Sequence, residues 1–124
     1  LCCADEARLA WSGTFVLAMW DAFPVSSGHA IIVPRRHAAS WNDLTADEKN
    51  EIITGIDAVR ALIDERRRPE GYNVGFNDGV AAGQTVMHFH VHVIPRYDGD
   101  VSDPRGGVRW VLGDKAAYWQ NESK

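Results

Sequence analysis

The run His88-Phe89-His90-Val91-His92-Val93-Ile94 alternates imidazoles with apolar side chains, and a period of two is sorted onto two faces only by a β-strand. On such a strand the three imidazoles line one side while Phe89, Val91 and Val93 pack the other. Pro95 is expected to close it. Three of the five histidines of the chain therefore fall in one row.

The remaining periodicities supply the partners of that strand. Thr14 to Trp20 is rich in β-branched and aromatic residues and ends at Asp21, which predicts a strand running into a turn. Ala30-Ile31-Ile32-Val33 is a short apolar run between Gly28-His29 and Pro34, suited to a buried strand with His29 at its start. Tyr72, Val74 and Phe76 alternate with Asn73, Gly75 and Asn77, the period of a half-buried strand that Asp78-Gly79 breaks. Thr45-Ala46-Asp47-Glu48 has the form of a capping box, so a helix is expected to begin there. Ile52, Ile56, Val59 and Ile63, with Leu62 beside them, form its apolar stripe, while Glu51, Asp57 and Arg60 face water. Pro69 ends it near Arg68. The sum is an α+β domain, an antiparallel sheet with a long helix packed on one face.

At 124 residues the chain has room for one domain with one core, so residues 1–124 are expected to form a single unit. A net charge of -4 argues against binding to nucleic acid, which needs clustered cations, and the one basic cluster, Arg66-Arg67-Arg68, reads as a solvated helix end. No apolar run approaches the length a bilayer requires. The chain begins at Leu1 rather than Met, which suggests residues removed ahead of it. Cys2 and Cys3 are adjacent and imply no disulfide framework, so a reducing cytoplasm is the expected compartment.

Two chemistries suit a row of imidazoles. Neutral imidazole ligates metals, but the outer histidines of the row stand about 13 Å apart at the α-carbons on strand geometry. Convergence of all three on one ion would strain them, and the segment offers no Asp, Glu or Cys to complete a set. The alternative is nucleophilic attack on phosphorus to form a phosphoramidate, with flanking imidazoles donating hydrogen bonds to phosphate oxygens. Small and polar residues just upstream, Gly79-Val80-Ala81-Ala82-Gly83-Gln84-Thr85, suit close backbone approach to a phosphate.

The string Gly83-Gln84-Thr85-Val86-Met87-His88-Phe89-His90-Val91-His92-Val93-Ile94-Pro95-Arg96 resembles the histidine triad family, in its fragile-histidine-triad and bacterial diadenosine polyphosphate hydrolase branches. Asp21 to His29 followed by Ile31-Ile32-Val33-Pro34 is similar to an earlier motif of that family. Asn73 to Gly79 and Asp103-Pro104-Arg105-Gly106-Gly107-Val108-Arg109 extend the likeness. The resemblance implies a sheet of about five strands joined to a second copy in a twofold homodimer. It implies a nucleotide hydrolase or transferase that cleaves dinucleoside polyphosphates at the α-phosphate, with His90 as nucleophile and a nucleotidyl-histidine intermediate. His92 would contact the phosphate and assist the leaving group, and His88 and His29 would orient the nucleophile. Asp21 matches the position that holds the ribose hydroxyls. Asn77 and the run Gly83, Gln84, Thr85 and Val86 match positions that line the phosphate path, and Ile31 and Phe23 would border the base.

No resident cofactor is implied, although a divalent cation can accompany the substrate as its counter-ion. Bacterial relatives begin with two cysteines two residues apart that share a structural zinc with histidines. The adjacent Cys2 and Cys3 lose that spacing, which leaves only the incomplete set Cys3, His37 and His88, and no structural zinc is expected. Competing readings are a nucleoside phosphoramidate or aminoacyl-adenylate hydrolase, a nucleotide-sensing module and a metal-binding protein. The intact triad argues against sensing. Trp11, Trp41 and Trp119 fit a dimer interface and a core equally well.

Overall fold

The computed structural model describes residues 6–121. Five strands form one antiparallel sheet: β1 (Leu9–Ser12), β2 (Val16–Trp20), β3 (Ala30–Pro34), β4 (Gly71–Gly75) and β5 (Val91–Arg96), in the spatial order β1-β2-β3-β5-β4. The single α-helix among the described residues, α1 (Ala46–Arg67), packs on β1, β2, β3 and β5. No helix of the described residues is long and apolar enough to cross a membrane.

The capping box forms as its residue types require. Thr45 Oγ1 accepts from the Glu48 amide at 3.1 Å, and Glu48 Oε1 accepts from the Thr45 amide at 2.8 Å. Glu48 is nevertheless buried, because the Arg36 guanidinium forks onto its two oxygens. Arg68 caps the other end in the left-handed region, ahead of Pro69. Ile52, Val59 and Ile63 are buried against the sheet as the stripe predicts. Glu51, expected in water, instead accepts the amides of Phe15 (2.6 Å) and Val16 (2.8 Å) and ties the helix to the start of β2. β2 begins at Val16, paired with Pro34, rather than at Thr14.

The core lies between helix and sheet, where Val16, Ala18, Ile32, Val91 and Val93 meet Ile52, Val59 and Ile63. Trp11 and Trp41 pack against it, so these two tryptophans belong to the core's margin. Alternate positions on the opposite sheet face carry Met19, Ile31 and Val33 together with His92. Strand period thus puts the aliphatic core on the helix side and the chemistry on the other.

The expected strand over His88–Ile94 is displaced. Val91, paired with Ile32, is the first ladder residue, whereas the Phe89 amide donates to the Ala38 carbonyl at 2.7 Å and draws the chain off the sheet. Burial still alternates, with Phe89, Val91 and Val93 inside. Nor does Pro95 close the strand. It pairs with Tyr72 on β4, and its backbone faces the side where β3 has ended, where its carbonyl accepts from Ser26 Oγ at 2.7 Å. The missing N–H therefore breaks no ladder bond.

Candidate active site

The three imidazoles of the run do not form one row. His88 is buried, with Nε2 donating to the Pro34 carbonyl at 2.9 Å and its ring edge-on to His37 at 5.3 Å. His90 and His92 stay together at the start of β5, their ring centres 5.0 Å apart. His29, delivered by the loop after β2, completes the group from the neighbouring strand with its ring centre 5.2 Å from that of His92.

Hydrogen bonding fixes the proton on each ring. His90 Nδ1 lies 2.8 Å from the backbone carbonyl of His88. A carbonyl can only accept, so His90 carries its proton on Nδ1 and presents a bare lone pair on Nε2. His88 thus orients His90 through its backbone, not through its ring as expected.

His29 has the opposite form. The Val25 amide donates to His29 Nδ1 at 3.1 Å, which leaves the proton on Nε2. That Nε2–H points to His92 Nδ1 at 3.0 Å, with Asp21 Oδ2 at 3.4 Å as a second acceptor. His92 Nδ1 therefore accepts, and its own proton sits on Nε2, available as a donor. The expectation that His29 orients the nucleophile is corrected accordingly: its partner is His92. Asp21 serves twice, with Oδ1 capping the turn at the Phe23 amide (2.8 Å) and Oδ2 facing the two imidazoles.

Asp21, His29 and His92 also bring three ligand atoms within 4.8 Å of one another. A metal-bound histidine donates its other ring N–H to an acceptor, whereas the other nitrogen of His29 receives an N–H. The cluster has the chemistry of a hydrogen-bond relay, not of a cation cage. His88 is the reverse case, since its Nε2–H on a carbonyl puts the remaining lone pair on Nδ1, the form a metal takes. With His37 it would make half of a structural set, and Cys3 lies outside the described residues.

Burial lowers the pKa of His29 below the ordinary 6.5, partly offset by the Asp21 carboxylate. Burial likewise lowers His92, helped by repulsion from His90 and His29. It lowers His88 as well, against the opposing pull of the Pro34 carbonyl. All three are neutral near pH 7, as the relay requires. In a folded chain that resists these protons the unfolded state binds more of them once pH drops below about 6.5, so stability rises with pH across that window. Urea midpoints measured at pH 7.5, 6.5 and 5.5 should fall on the acid side, and less steeply in His29→Asn. An equal slope in that variant would remove His29 from the linkage.

Asn77 shares a cleft with His29 and His92. Gly83, Gln84, Thr85 and Val86 do not line it. The Gln84 side chain, expected on the phosphate path, is buried: Oε1 accepts from the Gly79 amide (2.9 Å) and Nε2 donates to the carbonyls of Ala39 (2.8 Å) and Val86 (3.1 Å). It holds the loop's shape. Gly79 and Gly83 both have φ of 96°, a region other residues avoid, so they serve the turns around Val80–Ala82. Ile31 is buried and Phe23 almost fully exposed. The contributions that sequence reasoning missed are backbone groups, the Val25 amide and the carbonyls of His88 and Pro34, which no residue type reveals.

A family model described as the HIT domain matches residues 10–99. The chain belongs to the HIT family. Its relatives include the AP-4-A phosphorylase of Mycobacterium tuberculosis (strain CDC 1551 / Oshkosh), 35% identical over 99 residues that make up 79% of this chain and 51% of that one. The asymmetrical bis(5'-nucleosyl)-tetraphosphatase of Schizosaccharomyces pombe is 39% identical over 80 residues, 64% of this chain and 44% of that one. Among solved structures, a HIT family protein from Bacillus anthracis superposes with a TM-score of 0.71 at 29% identity, covering 94% of this HIT chain and 88% of the other. The diadenosine triphosphate hydrolase of Plasmodium falciparum gives 0.74 at 21% identity, covering 96% and 80%, a likeness of fold. The HIT chain spans about half the length of the curated relatives it matches, for example 56% of a 16.1 kDa HIT-like protein from Mycoplasma pneumoniae.

Proposed function

We propose that this HIT protein cleaves dinucleoside polyphosphates at the α-phosphate through a nucleotidyl-His90 intermediate. The observation that carries the reading is the pair of neighbouring imidazoles in opposite tautomers, His90 with a bare Nε2 and His92 with Nε2–H. One is a nucleophile and the other a donor.

In the first step His90 Nε2 attacks the α-phosphorus, the P–O bond to the remaining polyphosphate breaks, and the electron pair leaves on that oxygen. The leaving group is a stable anion, so His92 need only donate a hydrogen bond to it. The His90 ring becomes cationic while its Nδ1–H stays on the His88 carbonyl, which stabilises the charge. In the second step water attacks phosphorus, the P–N electron pair returns to Nε2, and the water proton passes to solvent. Asp21, half-buried beside His29, is placed to accept from ribose hydroxyls, and Asn77 borders the cleft that reaches His29 and His92. Gly83, Thr85 and Val86 would approach the phosphates by backbone. The names of the two enzyme relatives, AP-4-A phosphorylase and asymmetrical bis(5'-nucleosyl)-tetraphosphatase, support the substrate class. The edge position of β4 would allow a second copy to extend the sheet.

Intact-mass spectrometry after mixing with diadenosine tetraphosphate tests the mechanism. The rapidly quenched parent should carry one adenylyl adduct, absent in His90→Gly. Product without any adduct would overturn the covalent step, and binding without product would favour a sensor.

A further inference from the structure

The reaction at His90 leaves one apolar wall unused. From Gly107 to Lys115 the chain runs in tight turns, and Val108 and Val111 upon it are 63% and 81% exposed. With Val25, Phe76 and Ile94 they line a cleft of about 670 Å³ that reaches His29 and His92. Apolar side chains gathered at one exposed place beside a reactive group mark a surface that a ligand covers.

The lining selects the ligand. Among the described residues no Lys or Arg lines it, and its polar side chains besides the two histidines are the amides Asn73 and Asn77. Arg96 donates to Asn73 Oδ1 at 2.7 Å, but its guanidinium is held in a two-point pair by Asp100. Among the described residues lining the cleft, none offers a phosphate chain a cation. Apolar walls with amide edges match a planar heteroaromatic ring, whose faces are apolar and whose rim both donates and accepts.

The wall is also fixed in place. Arg109 donates to the carbonyls of Ala116 and Lys115, each at 3.2 Å, and Trp110 Nε1 donates to that of Arg105 at 2.7 Å. Gly107 has φ of 48°, and a Cβ there would come within 3.2 Å of Asn73 Nδ2, so glycine lets the segment close on β4.

We infer that this cleft seats the base of the leaving nucleotide, with Val108 and Val111 as its specificity-determining wall. The inference rests on the reaction proposed for His90 and adds a preference to it: a substrate carrying a second nucleoside is favoured over one ending in bare polyphosphate.

The test compares kcat/KM for diadenosine tetraphosphate and adenosine 5'-tetraphosphate, followed by chromatography of released AMP. The parent should prefer the dinucleotide roughly tenfold, the size that stacking of one base supplies. Val111→Asp should collapse that ratio toward one, and Val111→Phe, which enlarges the apolar wall, should keep or raise it. A ratio that survives Val111→Asp overturns the inference, and if the sedimentation coefficient falls at the same time the wall belongs to a second copy of the chain. Equal cleavage of both substrates by the parent removes the inference alone. Release of AMP from neither removes the reaction assigned to His90 and the inference with it.

Discussion

His90→Gly should lower kcat for diadenosine tetraphosphate by on the order of 10⁴ or more, as loss of a nucleophile does in other covalent enzymes, while the substrate dissociation constant barely moves. The prediction follows from which atoms the ring contributes. Its Nδ1–H is spent on the His88 carbonyl, so the imidazole has one remaining function at Nε2, and Asp21, His29 and His92 stay assembled without it through the relay that starts at the Val25 amide. On the proposed mechanism the binding groups therefore survive the substitution and the bond-forming group does not. His92→Gln should cost less, about 10²-fold to 10³-fold, the usual loss on removing one donor to developing charge. Free imidazole should restore part of the rate to His90→Gly by occupying the vacated space. Steady-state kinetics beside calorimetric titration make the measurement. A His90→Gly enzyme within tenfold of the parent would refute the assignment of the nucleophile.

Much of this arrangement was legible in the sequence because it depends on side-chain identity and period. Thr45 and Glu48 announce the helix start, Arg68-Pro69 its end, and the alternation at Phe89, Val91 and Val93 places those three inside as the structure does. The pairing of His29 with the triad follows from the antiparallel partnership of β3 with β5, which short apolar runs suggest without giving register. What escaped reading is what backbone groups decide. β1 is a four-residue edge strand with a bulge between Leu9 and Trp11, too short to show a period. His88 looks like a third member of a catalytic row, yet the Pro34 carbonyl takes its ring, and its chemical contribution is a carbonyl any residue would bring. Gln84 looks like a phosphate ligand, but three backbone groups of its own surroundings satisfy it. The proton positions that leave His90 a bare Nε2 and His92 an Nε2–H are likewise set by the amide of Val25 and the carbonyl of His88, so only the folded chain discloses them.

Phe89→Ala should cost about 3–5 kcal/mol of folding stability, the range for truncating a buried phenylalanine, read as a lower urea midpoint at unchanged slope. The side chain is 1% exposed and packs against the stacked pair Trp41 and Phe76, with ring centres at 5.9 and 4.8 Å from its own. Those neighbours lie on different segments, Trp41 ahead of α1 and Phe76 just after β4. Phe89 also sits between His88 and His90, and its amide bond to Ala38 is what turns the chain off the sheet. Loosening it frees the His88 carbonyl that holds the His90 proton on Nδ1. The folded fraction of Phe89→Ala should therefore show a lower kcat as well as a lower midpoint, whereas Val59→Ala, equally buried on the helix side and remote from the histidines, should lower the midpoint alone. Equal kinetics in the two variants would separate the aromatic seat from the geometry of His90.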